Sequence, residues 1–393
     1  MSRLLALPRV RDAILGAALL CAAAALMLWP KEAMEAARDG LTLCANVIVP
    51  SLFPFFVLSS LVVELGLAGY LGKLLEGVMR PLFRVGGPCA SAVALGFIGG
   101  YPVGARTALS LYQKGLCTRT EAQRLLAFCN NSGPAFILGV VGAGVFASSR
   151  AGVLIYLAHA AASVCVGLLF RFYGREKGGK EGHAPPCICT TSFPAAFTTA
   201  VRDSFLSTLN ICAFVVFFTV VIRLLTLSGV LTGLADVLGA LLAPLGLDAL
   251  WSRRLLTGAL ELTSGVSTLM SGGSLTGRLS MAAFLLGWAG LSVHCQVLSF
   301  LGESDLSPRT YLMGKFLHGV LSALFTAALA RVFPLGAPVS ALLAQQVDDL
   351  AALDFSTALS LSTVAAWVTF LAFLLLSAAA LGKKSGHTCR RML

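Results

Sequence analysis

The chain has 393 residues, of which 57% are hydrophobic and 12% charged, with a formal charge of +11 and a mean hydropathy of +0.86. A soluble domain carries about 25% charged residues, and no polar stretch here is long enough to enclose a core, so the sequence specifies an all-α polytopic membrane protein surrounded by lipid bilayer. The alternating segments of about 10 residues that a transmembrane barrel needs are absent, and cations gathered in short loops are an orientation signal that gives no reason to expect nucleic acid.

Met1 to Asp12 is short and basic, and Ala13 to Trp29 is apolar up to Pro30. No small-residue cleavage site follows, so the stretch reads as a retained first span. Lys31 to Gly40 carries two cations and three anions and reads as an outer loop. Leu41 to Leu65 returns inward with a kink expected at Pro50 and Pro54. Gly66 to Pro88 reads as an amphipathic cytoplasmic segment. Cys89 to Gly104 is too short to span, since about 20 apolar residues are needed. With four cations between Arg106 and Arg124, residues 89 to about 113 are expected to form a re-entrant hairpin on the cytoplasmic side. Ala122 to Phe146 then crosses outward, and Ala151 to Phe170 crosses back to a basic loop at Arg171 to Glu181.

The second half repeats this order. Phe205 to Leu225 is a span, Leu227 to Leu250 a Gly-rich stretch, and Leu255 to Ser271 a broken segment. Met281 to Leu301 and Tyr311 to Val332 are further spans. Pro334 to Asp354 has three aspartates and no lysine or arginine, which places it outside. Ser356 to Leu381 leads back to a basic tail. Gly104 and Gly265 align across the halves, as do Leu125-Leu126 and Leu285-Leu286. The expected architecture is eight crossings plus two re-entrant hairpins, arranged as inverted repeats, with both termini cytoplasmic. The boundaries are an N-terminal helix and outer loop at 1–40, a first repeat at 41–175, a linker at 176–197, a second repeat at 198–333, and an outer loop, last helix and tail at 334–393.

Two polar breaks interrupt the first half: GGYPVG at 99–104 and NNSGP at 130–134. Proline removes a ladder hydrogen bond and glycine frees the backbone. At membrane depth such breaks persist only where protein or trapped water satisfies the freed groups. The second half answers with ELTSG at 261–265 and SVHCQ at 292–296. Discontinuous helices of this kind mark a transporter's binding site. The candidate substrate-binding residues are Gly100, Tyr101, Arg106, Asn130, Asn131, Ser132, Thr263, Ser264, Ser292 and Gln296.

Glu261 is read as the one carboxylate deep in an apolar run. It is either a coupling or gating group or a cap on a half-helix. His294, read as the one histidine far from a span end, either carries a proton or bonds across helices. Arg106 either adds positive charge beside the first break or is an interfacial cation. A helix beginning at Pro134 would present bare N–H groups, a natural anion site. The eleven cysteines are scattered. The pair Cys187 and Cys189, with His183 upstream, lacks the further ligands a metal site needs. No phosphate loop, catalytic Ser/His/Asp pattern or metal motif is present, so neither an enzyme nor a cofactor is expected.

The stretches NVIVPSLFPFFVLSSL (46–61), GGYPVGA (99–105), FCNNSGPAF (128–136), ELTSG (261–265) and GLSVHCQ (290–296) resemble the sporulation integral membrane protein YlbJ family. That family is also known as the stage V dipicolinate transporter family and belongs to a wider group sharing the nucleoside-recognition or Gate domain. The resemblance covers residues 40 to 335. It implies dipicolinate, a small planar dianion, as the substrate, moved from the mother cell toward the forespore. It also implies a place in the mother-cell-derived outer forespore membrane. Tyr101 or Phe128 would stack on the pyridine ring. Further partners considered are a second copy of the chain or other sporulation membrane proteins. The competing readings are a transporter of a nucleoside-like solute and a membrane assembly factor that transports nothing.

Overall fold

The computed structural model describes residues 8–65, 67–174, 192–302 and 304–333, together with residues 360, 364 and 367. Cys187, Cys189, His183, the outer loop at 334–354 and most of the last expected span lie outside the described residues. Fifteen α-helices are present among the described residues, and no strand.

Helix α1 (Pro8–Leu28) meets α2 (Pro30–Leu43) at a bend of 97°. The segment expected to be an outer loop, Lys31 to Gly40, is therefore helical. Its Glu, Ala, Met and Lys residues are strong helix formers, and Pro30 suits a first-turn position. A π-helical turn (Cys44–Ile48) carries α2 into α3 (Val49–Glu64), with Pro54 inside it. Next come α4 (Leu67–Phe83), α5 (Ala90–Gly99), α6 (Val103–Gln113) and α7 (Arg119–Phe128). A π-helical segment (Ala135–Val145) and α8 (Ser149–Phe170) complete the first half.

Helix α9 runs from Phe193 to Leu227, well before the expected start at Phe205. Ser192 precedes it and Pro194 occupies its first turn, a good opening for a helix. The Gly-rich stretch contains α10 (Val230–Leu242), which the sequence reading left without structure. Then follow α11 (Ala249–Leu260), α12 (Leu262–Ser267), α13 (Leu275–Trp288), α14 (Gly290–Leu301) and α15 (Pro308–Val332).

Four described helical stretches are long and apolar enough to cross a membrane: 149–170, 193–227, 275–301 and 308–332. Counting each of two bent pairs, 16–46 and 74–99, as one span gives up to six. The count of eight is not reached, partly because the 122–146 crossing is broken into two short helices. The chain is an all-helical, multi-pass membrane protein.

The element order recurs. A helical hairpin with a broken tip, a broken crossing and a long closing helix follow one another as α5–α6, α7 to Val145 and α8. They do so again as α11–α12, α13–α14 and α15. Glycines bring the hairpin arms together in both halves. A β-carbon added to Gly104 would lie 3.1 Å from Gly96, and one added to Gly265 would lie 2.1 Å from Gly258. The aligned leucine pairs Leu125-Leu126 and Leu285-Leu286 are all fully buried. Helices also close on small residues, Gly287 against Gly319 and Gly314 against Ala127, the kind of contact that drives packing where lipid supplies no hydrophobic force.

Arg254 and Arg278 sit on the turn after α12. Arg254 donates to the carbonyls of Ser271 and Gly272, and Arg278 to those of Leu269 and Met270. These cations clamp the end of the second hairpin.

Candidate functional site

The breaks meet because backbone crosses backbone. The extended stretch at 130–133 runs over the tip of the first hairpin. β-Carbons added to Gly96 or Gly104 would lie 1.9 Å and 2.0 Å from the carbonyl oxygen of Cys129. Gly100, at φ +75°, faces the Gly133 amide, where an added β-carbon would lie 2.8 Å away. The second half crosses in the same manner. Gly290, at φ +83°, lies against the Leu262 amide and the Gly258 carbonyl. Only glycine allows such approaches, and the positive φ values favour it as well.

A cavity of about 150 Å³ lies between the crossings. Gly100, Tyr101, Ser132, Glu261, Thr263, Ser292 and Gln296 line it, so all four breaks contribute. Apolar walls come from Phe136 and from Ile211 and Val215 of α9. A pocket for a small molecule usually measures about 300–1,000 Å³, so this cavity is constricted.

Glu261 caps α12. Its carboxylate accepts from the amides of Thr263 at 2.9 Å and Ser264 at 2.7 Å. This is the helix-cap arrangement, and the same carboxylate also lines the cavity. Ser264 takes part through this bond and does not line the cavity. The N-terminus of the second half-helix is thereby filled by the protein's own anion.

Asn130 and Asn131 lie behind the cavity wall. The Asn131 side chain donates to the Phe128 carbonyl at 3.0 Å, and that of Asn130 to the Tyr311 hydroxyl at 3.5 Å. Both amide oxygens are buried without a hydrogen-bond partner among the described residues. His294 packs edge-on to Trp288 and pairs its Nδ1 with the Tyr311 hydroxyl at 3.0 Å.

Arg106 does not join this cavity. It lines a second, more open one of about 570 Å³, with Glu64, Lys114, Asp203, Ser207, Asn210 and Ser299. Its guanidinium rests on the Phe56 ring at 5.4 Å, and its Nη1 has no hydrogen-bond partner among the described residues. The sequence reading treated it as the fixed cation nearest the breaks. The structure corrects this, because α6 carries Arg106 one turn past the break and away from the hairpin tip. Residues of α9 and α14 line both cavities, and Asn210 and Ser299, hydrogen-bonded at 3.2 Å, line the larger one. The larger cavity is a polar vestibule lined by Arg106, Glu64, Lys114 and Asp203.

The cation at the breaks is Lys315, in the middle of α15. It is fully buried. Its Nζ donates to the Asn130 carbonyl at 2.8 Å and lies 3.4 Å from both the Tyr101 hydroxyl and His318 Nδ1. Among the described residues no carboxylate pairs with it. His318 Nε2 lies 2.9 Å from the His159 carbonyl, and the Ser132 amide donates to His159 Nε2 at 3.1 Å. His294 is therefore not the one histidine inside a span, since His159 and His318 are both fully buried. The signal was present in the sequence. Lys315 and His318 stand three residues apart inside an apolar span, and an ionisable residue there is a functional candidate by default.

Residues 45–170 match the Gate family, described as nucleoside recognition. The sporulation integral membrane protein YlbJ of Bacillus subtilis (strain 168) is 32% identical over 342 residues, which cover 82% of this chain and 84% of that protein. Among solved structures, CNTnw in an inward-facing substrate-bound state is similar at a TM-score of 0.43 and 18% identity, over 83% of this chain and 87% of that one. A CNTnw variant in an outward-facing state has the same TM-score at 17% identity, with the same shares covered. By the extent and identity of its match to the Bacillus protein, the chain belongs to the YlbJ family of sporulation integral membrane proteins.

Proposed function

We propose that this chain carries a small organic anion across a membrane during sporulation, with dipicolinate as the substrate and the crossing of the four breaks as its site. The observation that carries this reading is Lys315. A buried cation without a carboxylate partner is strongly unfavourable unless another anion compensates it. Lys315 stands one aromatic ring away from the cavity, with its Nζ 4.8 Å from the centre of the Tyr101 ring. A carboxylate that displaced this ring would meet the amine, and Ser132, Ser292 and Gln296 would complete its hydrogen bonds. The constricted cavity then represents a closed state, and the vestibule with Arg106 is the approach from one membrane face. That face is the cytoplasmic one if the basic segments at 106–124 lie inside. The likeness to a sporulation protein agrees with placement in the outer forespore membrane.

A second reading has a specific observation behind it. Apart from Glu261, whose carboxylate caps α12, the polar groups that line the cavity directly are uncharged: Tyr101, Ser132, Thr263, Ser292 and Gln296. Such groups suit a neutral solute such as a nucleoside, in keeping with the Gate description. Uptake of labelled dipicolinate and of labelled nucleosides into proteoliposomes containing only this protein separates the readings. Dipicolinate uptake that unlabelled dipicolinate competes away supports the first. Nucleoside uptake alone supports the second, and uptake of neither leaves the assembly-factor reading.

A further inference from the structure

We propose that the Lys315–His318 pair is a proton-binding site that is loaded together with the substrate, so that each anion crosses with a proton. The inference rests on the anion reading above and deepens it.

The buried chain of hydrogen bonds has a direction fixed at both ends. The His159 carbonyl can only accept, so His318 Nε2 carries a hydrogen toward it. The Ser132 amide can only donate, so His159 Nε2 accepts and its own hydrogen is on Nδ1. The Tyr101 hydroxyl donates to the Leu286 carbonyl, which leaves only its lone pairs for Lys315. A neutral His318 likewise turns the lone pair of Nδ1 toward Lys315. The lysine thus faces three acceptors, the Asn130 carbonyl among them. A neutral amine can serve two of the three and an ammonium all three, so the arrangement is a ready seat for one added proton.

A proton taken up by the pair has two seats 3.4 Å apart. When the proton moves, the Nζ–H bond breaks and an Nδ1–H bond forms, and the charge stays on the pair. The titratable groups facing it are Tyr101 at the first break, Cys129 after α7, and His159 on α8, with Tyr311 and, beyond it, His294 from α14. None is a carboxylate. The carboxylate in the cavity lining, that of Glu261, already binds two amides. An anion in the cavity and a proton on the pair each reduce the other's electrostatic penalty, and the coupling is the same in both directions. Tyr101 and Ser132 touch both the chain and the cavity, which gives the proton a short path to water.

The test is calorimetric binding of dipicolinate to the purified full chain. It is run in two buffers of different ionisation enthalpy, between about pH 6 and pH 8, where free carboxylates are ionised. The expected result is net proton uptake on binding, approaching one per ligand. Affinity should tighten by up to about tenfold for each unit of falling pH. Lys315→Arg holds a charge that does not titrate in this range, and it is expected to bind with no proton uptake and no pH dependence. Binding by the wild-type protein without proton uptake at any pH overturns the proton site and leaves the anion reading standing. Lys315→Arg with wild-type proton uptake overturns the assignment to this pair. Absence of dipicolinate binding at every pH overturns both. The wild-type measurement decides the central point even if the variant does not fold.

Discussion

Tyr101 stands between Lys315 and the cavity. Its hydroxyl bonds the Leu286 carbonyl from the second half and lies 3.4 Å from the Lys315 amine. One aromatic residue at the first break thereby holds the closing helix of the second repeat and walls off its cation. Phenylalanine at this position keeps the wall and loses both bonds. A neutral hydrogen bond is worth about 1 kcal/mol, so Tyr101→Phe is expected to lower the thermal midpoint of the purified protein while leaving the cavity closed. Tyr101→Ala opens the wall, and an amine-directed probe should then reach Lys315. An unreactive Lys315 in that variant would place the wall elsewhere.

The crossing at Cys129 leaves no space for a side chain. A β-carbon 1.9 Å from a backbone oxygen cannot be absorbed by a rotamer change, and overpacking of this kind costs about 1–3 kcal/mol or more. Gly96→Ala and Gly104→Ala should each reduce the monodisperse folded fraction in detergent. Gly115→Ala on the connecting turn makes no close contact and serves as the control for backbone strain alone. Normal folding of Gly96→Ala would show that the two breaks do not cross as described.

Glu261 acts on its own helix. Glutamine retains one acceptor oxygen, so Glu261→Gln keeps one of the two amide bonds. Loss of an N-cap costs about 0.5–2 kcal/mol. The expected outcome is a modest fall in thermal stability for Glu261→Gln, a larger one for Glu261→Ala, and little change in dipicolinate affinity for either. An affinity gain of tenfold or more in Glu261→Gln would instead show the carboxylate repelling the substrate directly.

Asp305 joins the two halves. It accepts from the Tyr112 hydroxyl at 2.7 Å and pairs with Arg119 at 2.8 Å. The Tyr112 hydrogen bond, with the Arg119 charge, holds its carboxyl below the usual value. A depressed carboxyl stabilises the fold above its unfolded value of about 3.9. That stability is lost as the pH falls through the lower, folded value. The pair is exposed, so the effect is small and screened by salt. Wild-type protein should lose thermal stability below about pH 4 more steeply than Asp305→Asn. Parallel pH profiles for the two would remove Asp305 from the account.

The sequence made the breaks legible because Gly, Pro and Asn stand out in apolar runs. It also made legible that they converge, since Ser132, Thr263 and Gln296 line one cavity. Other features were hidden for physical reasons. Lys31 to Gly40 is polar, and polarity was read as a loop, although its residues form an amphipathic helix that buries Ala33, Ala36 and Gly40. A cation in an apolar chain reads as a loop marker, a rule that favours Arg106 over Lys315. Whether an arginine one turn past a break points at the break or away from it depends on helix phase. Phase relative to a hairpin tip is a property of packing and is not written in the local sequence. The clamp by Arg254 and Arg278 was hidden similarly, because its partners are backbone carbonyls.

The most direct test of the central claim is the concentration dependence of dipicolinate uptake into proteoliposomes by wild-type protein, Lys315→Gln and Arg106→Gln. A charge-assisted hydrogen bond is worth about 1.5–3 kcal/mol. The account predicts that Lys315→Gln weakens apparent affinity by roughly ten- to a hundredfold. Arg106→Gln, in the vestibule, should slow uptake with less than about a threefold change in affinity, as for a rim charge. Equal apparent affinity for wild type and a folded Lys315→Gln, or loss of affinity only in Arg106→Gln, would contradict it.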